Sequence, residues 1–319
     1  MKSHHTIFDL PCDCSEEHAG LILIPAPFDA TTSFRSGCAE ASQSILKVSN
    51  QVDLYHPLFP EAWKKGITLL QESSQIHSWN KEAHKAVEMA RANYDEIHIK
   101  QVNTIGFELN TWLSQETNKY LNRGKKVAVI GGDHSTPFGA IKEFLGKYPH
   151  MGFLHIDAHL DLRPSYEGFE WSHASIMYNV VTKLKPACMV QVGIRDFCDE
   201  ELQLAKQHPE IHTFFDRDLF AKKSSGVTWQ IIVNDILALL PADVYISFDI
   251  DGLDPSLCPS TGTPVPGGLS FQEAVYLLNQ LILSGRKIIG FDLNEVGAGT
   301  WDGIVASRLL YELCILTLR

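Results

Sequence analysis

Short β-branched runs recur along the chain between longer, helix-like stretches. They fall at Leu21 to Ile24, Val127 to Ile130, Phe153 to Ile156, Met189 to Val192, Val244 to Phe248 and Ile288 to Leu293. Strands that alternate with helices in this way predict an α/β fold with a mainly parallel sheet. Helical length and mixed polarity mark residues 81–104 and 106–123 as helices. Residues 136–148 follow a cap candidate at Ser135, with Pro137 in the first turn, and 270–284 open with a capping box of Ser270 and Glu273. A last helix is predicted from about Gly303 to Leu318. No repeat, low-complexity tract or long Pro/Gly/Ser linker divides the chain, so the expectation is one domain over residues 1–319, with 1–19 as an N-terminal extension.

Polar clusters directly follow four of the apolar runs. Val127 to Ile130 leads into Gly131-Gly132-Asp133-His134-Ser135, and Phe153 to Ile156 into Asp157-Ala158-His159-Leu160-Asp161. Tyr245 to Phe248 leads into Asp249-Ile250-Asp251, and Ile289 to Leu293 into Asn294-Glu295. In open α/β sheets the carboxyl ends of strands are where loops converge and ligands gather.

Composition narrows the function. The 319 residues are 45% hydrophobic, enough for a sizeable core, and carry a net charge of -11. That balance argues against nucleic-acid binding, which needs clustered Lys and Arg. The nearest basic cluster, Arg123-Gly124-Lys125-Lys126, reads as a solvated edge. The seven cysteines are odd in number and form no CxxC pair, which favours a reduced, intracellular protein. No signal-like start and no apolar run of membrane-spanning length is found, so the expected location is the cytoplasm, with no membrane partner.

Side chains of an extended segment alternate faces, so Asp157, His159 and Asp161 can point one way while Ala158 and Leu160 point the other. The same holds for Asp249 and Asp251 around Ile250. Buried together without a cation, these acids would repel one another in a poorly solvated place. With His134 they make four carboxylates and two imidazoles, too many ligands for one tetrahedral zinc and suited to two ions that share bridging carboxylates. A lone Asp after a strand is usually a cap or turn residue. Three such clusters together are not explained that way.

The segments GGDHS (131–135), DAHLD (157–161) and SFDIDGLDP (247–255) resemble, in order, the three signatures of the ureohydrolase family, which includes arginase, agmatinase and formimidoylglutamase. The resemblance spans roughly residues 20–315. It implies an arginase-like, three-layer αβα fold. It also implies one ion held by His134, Asp157, Asp161 and Asp249 and another by Asp157, His159, Asp249 and Asp251, with Asp157 and Asp249 bridging. Hard carboxylate donors and the resemblance both favour two Mn(2+) per chain, while the two imidazoles would also accept Ni(2+). Two metals about 3.5–4 Å apart can hold one hydroxide as the nucleophile towards a guanidinium carbon. By resemblance Glu295 grips the guanidinium. His173 is the candidate proton shuttle, since imidazole titrates near neutral pH. Thr261 and Thr263 lie in a loop similar to the family's substrate-side segment, and Asp133 is expected to accept the other ring N–H of His134.

The substrate is less sharply written. Arginase has an Asn shortly after the DAHxD motif where this chain has Asp161-Leu162-Arg163-Pro164, which weakens an arginase reading. Residues 28–35 resemble agmatinase-like members. Arg163 could pair a carboxylate, as formimidoylglutamase would need, and would repel the amino end of agmatine unless it points elsewhere. Trp171, with Tyr55, Phe59 and Trp63, could close a small pocket. The first expectation is an agmatinase-like hydrolase releasing urea from agmatine or a smaller guanidine, and the second is a formimidoylglutamase. A metal-binding assembly protein without catalysis is the reading from another class. The family commonly forms homo-oligomers, which is the expectation for this chain too.

Overall fold

Among the described residues, 6–93 and 95–319 of a computed structural model, eight strands form one sheet. They are β1 (Leu21–Ala26), β2 (Ile67–Leu69), β3 (Lys126–Gly131), β4 (Gly152–Ile156), β5 (Cys188–Ile194), β6 (Ile211–Phe215), β7 (Asp243–Asp249) and β8 (Lys287–Asn294). The spatial order is β2-β1-β3-β8-β7-β4-β5-β6, and every pair is parallel. The connecting helices are α1 (Ala41–Ser49), α2 (Ser74–Asn93), α3 (Glu96–Leu121), α4 (Phe138–Lys147), α5 (Ile176–Asn179), α6 (Asp199–Gln207), α7 (Asp216–Ser224), α8 (Trp229–Ala238), α9 (Phe271–Leu283) and α10 (Thr300–Leu318).

Alternation along the strands builds the three layers. Leu21 and Leu23 of β1 pack into one core with α1 and α7 to α10, whereas Ile22 and Ile24 pack into a second core with α2 to α6. Both faces of the sheet are thereby covered, which is why its central strands are apolar in continuous runs rather than at alternate positions.

The sequence expectations hold for six strands and fail at the sheet's two edges. Strand β2 is three residues long, and β6 contains His212 and Thr213 and is mostly half-buried, so neither presents an apolar run. The first two predicted helices, α2 and α3, are also displaced from their predicted spans. The break falls between Asn93 and Glu96, not near residue 105, because the Asp95 carboxylate accepts the Ile97 N–H and starts α3 there. Ser135 does not cap α4; its hydroxyl donates to Asp133, and Pro137 takes the position before the first helical residue. The Ser270–Glu273 capping box opens α9 as predicted, and the last helix starts at Thr300 rather than Gly303. Residues 1–5 of the predicted extension lie outside the described residues. No helix among the described residues is long and apolar enough to cross a membrane.

Strand β8 needs a glycine where it meets α4. A Cβ on Gly290 would lie 2.2 Å from the ring of Phe144, which is fully buried. Gly290→Ala should therefore overpack this layer and lower stability by about 1–3 kcal/mol, read as a lower midpoint in chemical denaturation. An unchanged midpoint would mean that the α4–β8 layer is looser than its geometry implies.

Candidate metal centre

The four central neighbours of the sheet, β3, β8, β7 and β4, carry the polar clusters at their carboxyl ends. His134 follows β3, Asp157 to Asp161 follow β4, Asp249 ends β7 with Asp251 two residues on, and Glu295 follows β8. Four segments far apart in sequence thus meet without long loops.

Two donor groups result, and Asp157 belongs to both. In the first, His134 Nδ1 stands 3.0 Å from Asp157 Oδ2, 3.2 Å from Asp161 Oδ2 and 3.3 Å from Asp249 Oδ2. In the second, His159 Nδ1 stands 3.1 Å from Asp251 Oδ2 and 3.4 Å from Asp157 Oδ1. One oxygen of Asp157 faces each group.

The hydrogen bonds behind these atoms fix which lone pairs point inward. Ser247 Oγ donates to Asp292 Oδ1 at 2.8 Å, so at 2.9 Å it must accept from His134 Nε2. In the neutral imidazole, Nδ1 then carries the lone pair; it is buried and has no hydrogen-bond partner. A lone pair aimed at three carboxylate oxygens is repulsive unless a cation sits among them. For metal–oxygen bonds of about 2.1 Å, neighbouring octahedral ligands stand about 3 Å apart, and the spacings around His134 match that. The donor set therefore fits a hard divalent ion. His155 also lies beside Asp157 and His134 and could be taken for a ligand. It accepts from the Gln191 amide at Nδ1 (3.0 Å) and therefore donates from Nε2 to Asp157 Oδ2 (2.8 Å), so both its nitrogens are spent on orienting Asp157.

The electrostatics describe the same deficit. Burial and the neighbouring Asp157 push Asp161 up to about 6, and burial, Asp251 and Asp157 push Asp249 well above the usual carboxylate range. Burial alone would lower the imidazoles, yet Asp157, Asp161 and Asp249 hold His134 well above its ordinary value, and Asp251 and Asp157 do so for His159. Asp157, although buried, is held well below the carboxylate range by His155, His134 and His159. Protons fill the role that divalent cations would fill better.

Glu295 lies beside this cluster. Its Oε1 accepts the His134 backbone N–H at 2.9 Å, and His173 Nδ1 is 3.9 Å from the same oxygen. Burial and Asp133 raise the Glu295 carboxyl well above its ordinary range. His173 is pushed down to about 3 by burial and the two nearby imidazoles, away from the near-neutral titration expected from the sequence, and its Nε2 is buried with no partner. Asp161 (φ 54°) and Glu295 (φ 60°) both sit in left-handed backbone.

A cavity of about 290 Å³ opens on the cluster, lined by His159, Asp161, His173, Arg163, Thr263 and Phe34 among others. A larger one, about 960 Å³, lies elsewhere, around Ser42, Glu72 and Gly299, and none of the clustered acids or imidazoles lines it. Thr263 Oγ1 is 3.5 Å from Asp251 Oδ2, while Thr261 is buried and donates to the Glu295 carbonyl, so it supports the carboxylate's backbone without lining the cavity. Trp171 does not line the cavity either. Its indole stacks obliquely on Phe138 (5.0 Å) and lines a separate surface pocket with Lys183. Tyr55 is exposed, and Phe59 and Trp63 pack on the core behind β1. The acceptor expected at Asp133 is Ser247 instead; Asp133 accepts from Thr31 and Ser135, and Thr31 Oγ1 in turn accepts the His173 backbone N–H.

His155, Gln191, Ser247 and Asp292 were missed in the sequence. A signal was present for two of them: His155 and Ser247 extend the period-two series 157-159-161 and 249-251 one step back into their strands.

A family model described as the arginase family matches residues 19–314. An N(1)-aminopropylagmatine ureohydrolase of Thermus thermophilus is 30% identical over 302 residues, covering 94% of this chain and 91% of that protein. A proclavaminate amidinohydrolase of Streptomyces clavuligerus is 28% identical over 318 residues, covering 97% and 90%. The solved agmatine ureohydrolase of Thermoplasma volcanium superposes with a TM-score of 0.71 over 94% of this chain and 90% of that one, at 22% identity, which shows a shared fold.

The raised carboxyls and imidazoles set a pH dependence. Asp161 holds its proton up to about pH 6, against about 3.9 when unfolded. Between those values the metal-free fold binds more protons than the unfolded chain, so its stability falls as pH rises, and the raised imidazoles continue the fall above pH 6.5. In EDTA the melting temperature should drop from pH 5 to pH 8, and Mn(2+) should restore it most at pH 8, where ions no longer compete with protons. Equal melting temperatures across that range in EDTA would show that the cluster is not strained by its charges.

Proposed function

Because the chain belongs to the arginase family, we propose that it is a two-metal hydrolase that cleaves a C–N bond of a small guanidino compound and releases urea, in the manner of an agmatinase. The observation that carries this reading is the shared carboxylate of Asp157, one oxygen towards His134 and the other towards His159, with Glu295 beside the pair.

We assign His134, Asp157, Asp161 and Asp249 to one ion and Asp157, His159, Asp249 and Asp251 to the other, and take the whole chain as one catalytic domain. Carboxylate-rich, hard donors favour manganese, with nickel as the alternative the imidazoles admit. When bound, such a pair supplies an activated water and Lewis acidity at the reacting carbon. The residues of the chain do the rest. Glu295 is buried and does not itself line the cavity, with Oε1 on the His134 N–H and Oε2 on the Cys38 thiol. Its remaining lone pairs would accept a planar N–H fork, which a carboxylate matches bidentately, and the incoming cation would offset its raised pKa. Water adds to the guanidinium carbon, the C–N bond to the tail breaks, and the products are urea and a protonated amine. The leaving nitrogen needs a proton. His173, kept neutral by burial with a free Nε2, can take one from the attacking water and return it there.

Arg163 no longer weighs against a cationic tail. Its Nε is drawn to the buried Glu201 (3.3 Å) and its guanidinium lies over Tyr166, while the exposed Asp196 lines the same cavity and can pair an amine. This supports agmatine, or a shorter guanidine, over a formimino acid. Thr263 is the remaining substrate-side candidate, and Trp171 and Thr261 are not. The free cysteines fit a reducing, cytoplasmic setting. All six ligand candidates and Glu295 being present argues against a non-catalytic assembly protein.

Urea release from the Mn-loaded and Ni-loaded chain should be fastest with agmatine or guanidine among a set that includes arginine, guanidinobutyrate and guanidinopropionate, with formiminoglutamate followed by formamide or ammonia. No turnover of any of them with two ions bound per chain would refute the enzyme reading. Asp251→Asn should cut bound metal from two ions towards one and lower kcat by at least about 100-fold; unchanged metal content and rate would refute the ligand assignment.

A further inference from the structure

Glu295 has one side-chain hydrogen-bond donor among the described residues, and it belongs to none of the three signature segments. Cys38, 2% exposed, donates its thiol to Glu295 Oε2 at 3.4 Å. The thiol keeps its proton, since burial and the Glu295 charge raise it well above its ordinary value. The other oxygen, Oε1, is already fixed by the His134 N–H.

The segment that carries Cys38 is clamped from behind. Asp29, buried, accepts from the N–H groups of Gly37 (2.6 Å) and Ala39 (3.3 Å) with Oδ2, and from the Asn80 amide (3.1 Å) and His84 (2.7 Å) with Oδ1. Those two N–H groups flank Cys38 and tie its loop to α2. Oε2 also has room only because residue 262 is glycine; a Cβ there would lie 2.8 Å from it.

We propose that Cys38 is a positioning residue for the reaction: its thiol, held by the Asp29 clamp, sets the direction of Glu295 Oε2 and so the fit of the planar cation that Glu295 grips. This rests on the reading of Glu295 given above. A carboxylate free to rotate about its last bond loses bidentate geometry, and the loss appears mainly in substrate binding.

The test is steady-state urea release by the Mn-loaded chain with its best guanidino substrate, with metal content and melting temperature checked for each variant. Cys38→Ala should raise KM about 5–10-fold and leave kcat within about twofold, while Cys38→Ser, which restores a donor, should stay within about twofold of the parent. Gly262→Ala, which crowds the same oxygen, should also raise KM. In a Glu295→Gln background the Cys38→Ala effect on kcat/KM should vanish. The inference is overturned if Cys38→Ala leaves KM unchanged, if Cys38→Ser is as impaired as Cys38→Ala, or if the effect persists without the carboxylate. It is equally overturned if Gly262→Ala leaves KM unchanged, a route that stays open should Cys38→Ala fail to fold. A Glu295→Gln variant with full activity would instead refute the role of Glu295 itself, and the inference with it.

Discussion

Four carboxylates converging in a dry place are the constraint around which the rest of this molecule is arranged. Asp157, Asp161, Asp249 and Asp251 are almost wholly buried, and the imidazole nearest three of them, when neutral, turns a lone pair towards them. Fully ionised, such a cluster is unfavourable on its own terms, because repulsion between like charges and desolvation act in the same direction. Two things make it tolerable: cations, for which the spacing is suited, and a scaffold stiff enough to prevent the acids from rotating away. The sheet supplies the stiffness. Its four central strands are covered on both faces and end where the acids begin, so the cluster inherits its geometry from the least deformable part of the fold.

Between scaffold and acids lies a layer of neutral polar residues that chooses tautomers. Gln191 obliges His155 to donate to Asp157, and Ser247, committed to Asp292, obliges His134 to donate outward. Neither contact needs to be strong. Their effect is to decide, for each imidazole, whether a lone pair or a proton faces the acids, and so whether the group acts as ligand or as orienter.

The strand ends were legible in the sequence because apolar runs and alternating polar residues obey the same period-two geometry that places them. The cluster of six donors was legible for that reason. What escaped was decided by contacts between distant segments. His155 reads like any residue in an apolar run until Gln191, 36 positions away, is seen beside it. Trp171 looked like a pocket wall but is taken up by Phe138 and the close approach of Gly106. Asp133, next in sequence to His134, was the natural acceptor for its ring, yet a serine 113 residues away lies in line with the N–H. Edge strands escaped for a simpler reason: half-exposed strands carry polar residues, and their pattern is diluted.

The left-handed backbone at Asp161 and Glu295 sets local geometry against the composition of the cluster. A non-glycine residue there costs about 1 kcal/mol or more relative to glycine. Glycine at either position would relax the main chain and remove an acid in the same change, so at these two residues the backbone and the carboxylate cluster pull in opposite directions. The tightly packed sheet ends on either side hold the strained conformation in place, and the scaffold thereby carries a cost that the side chains impose on it.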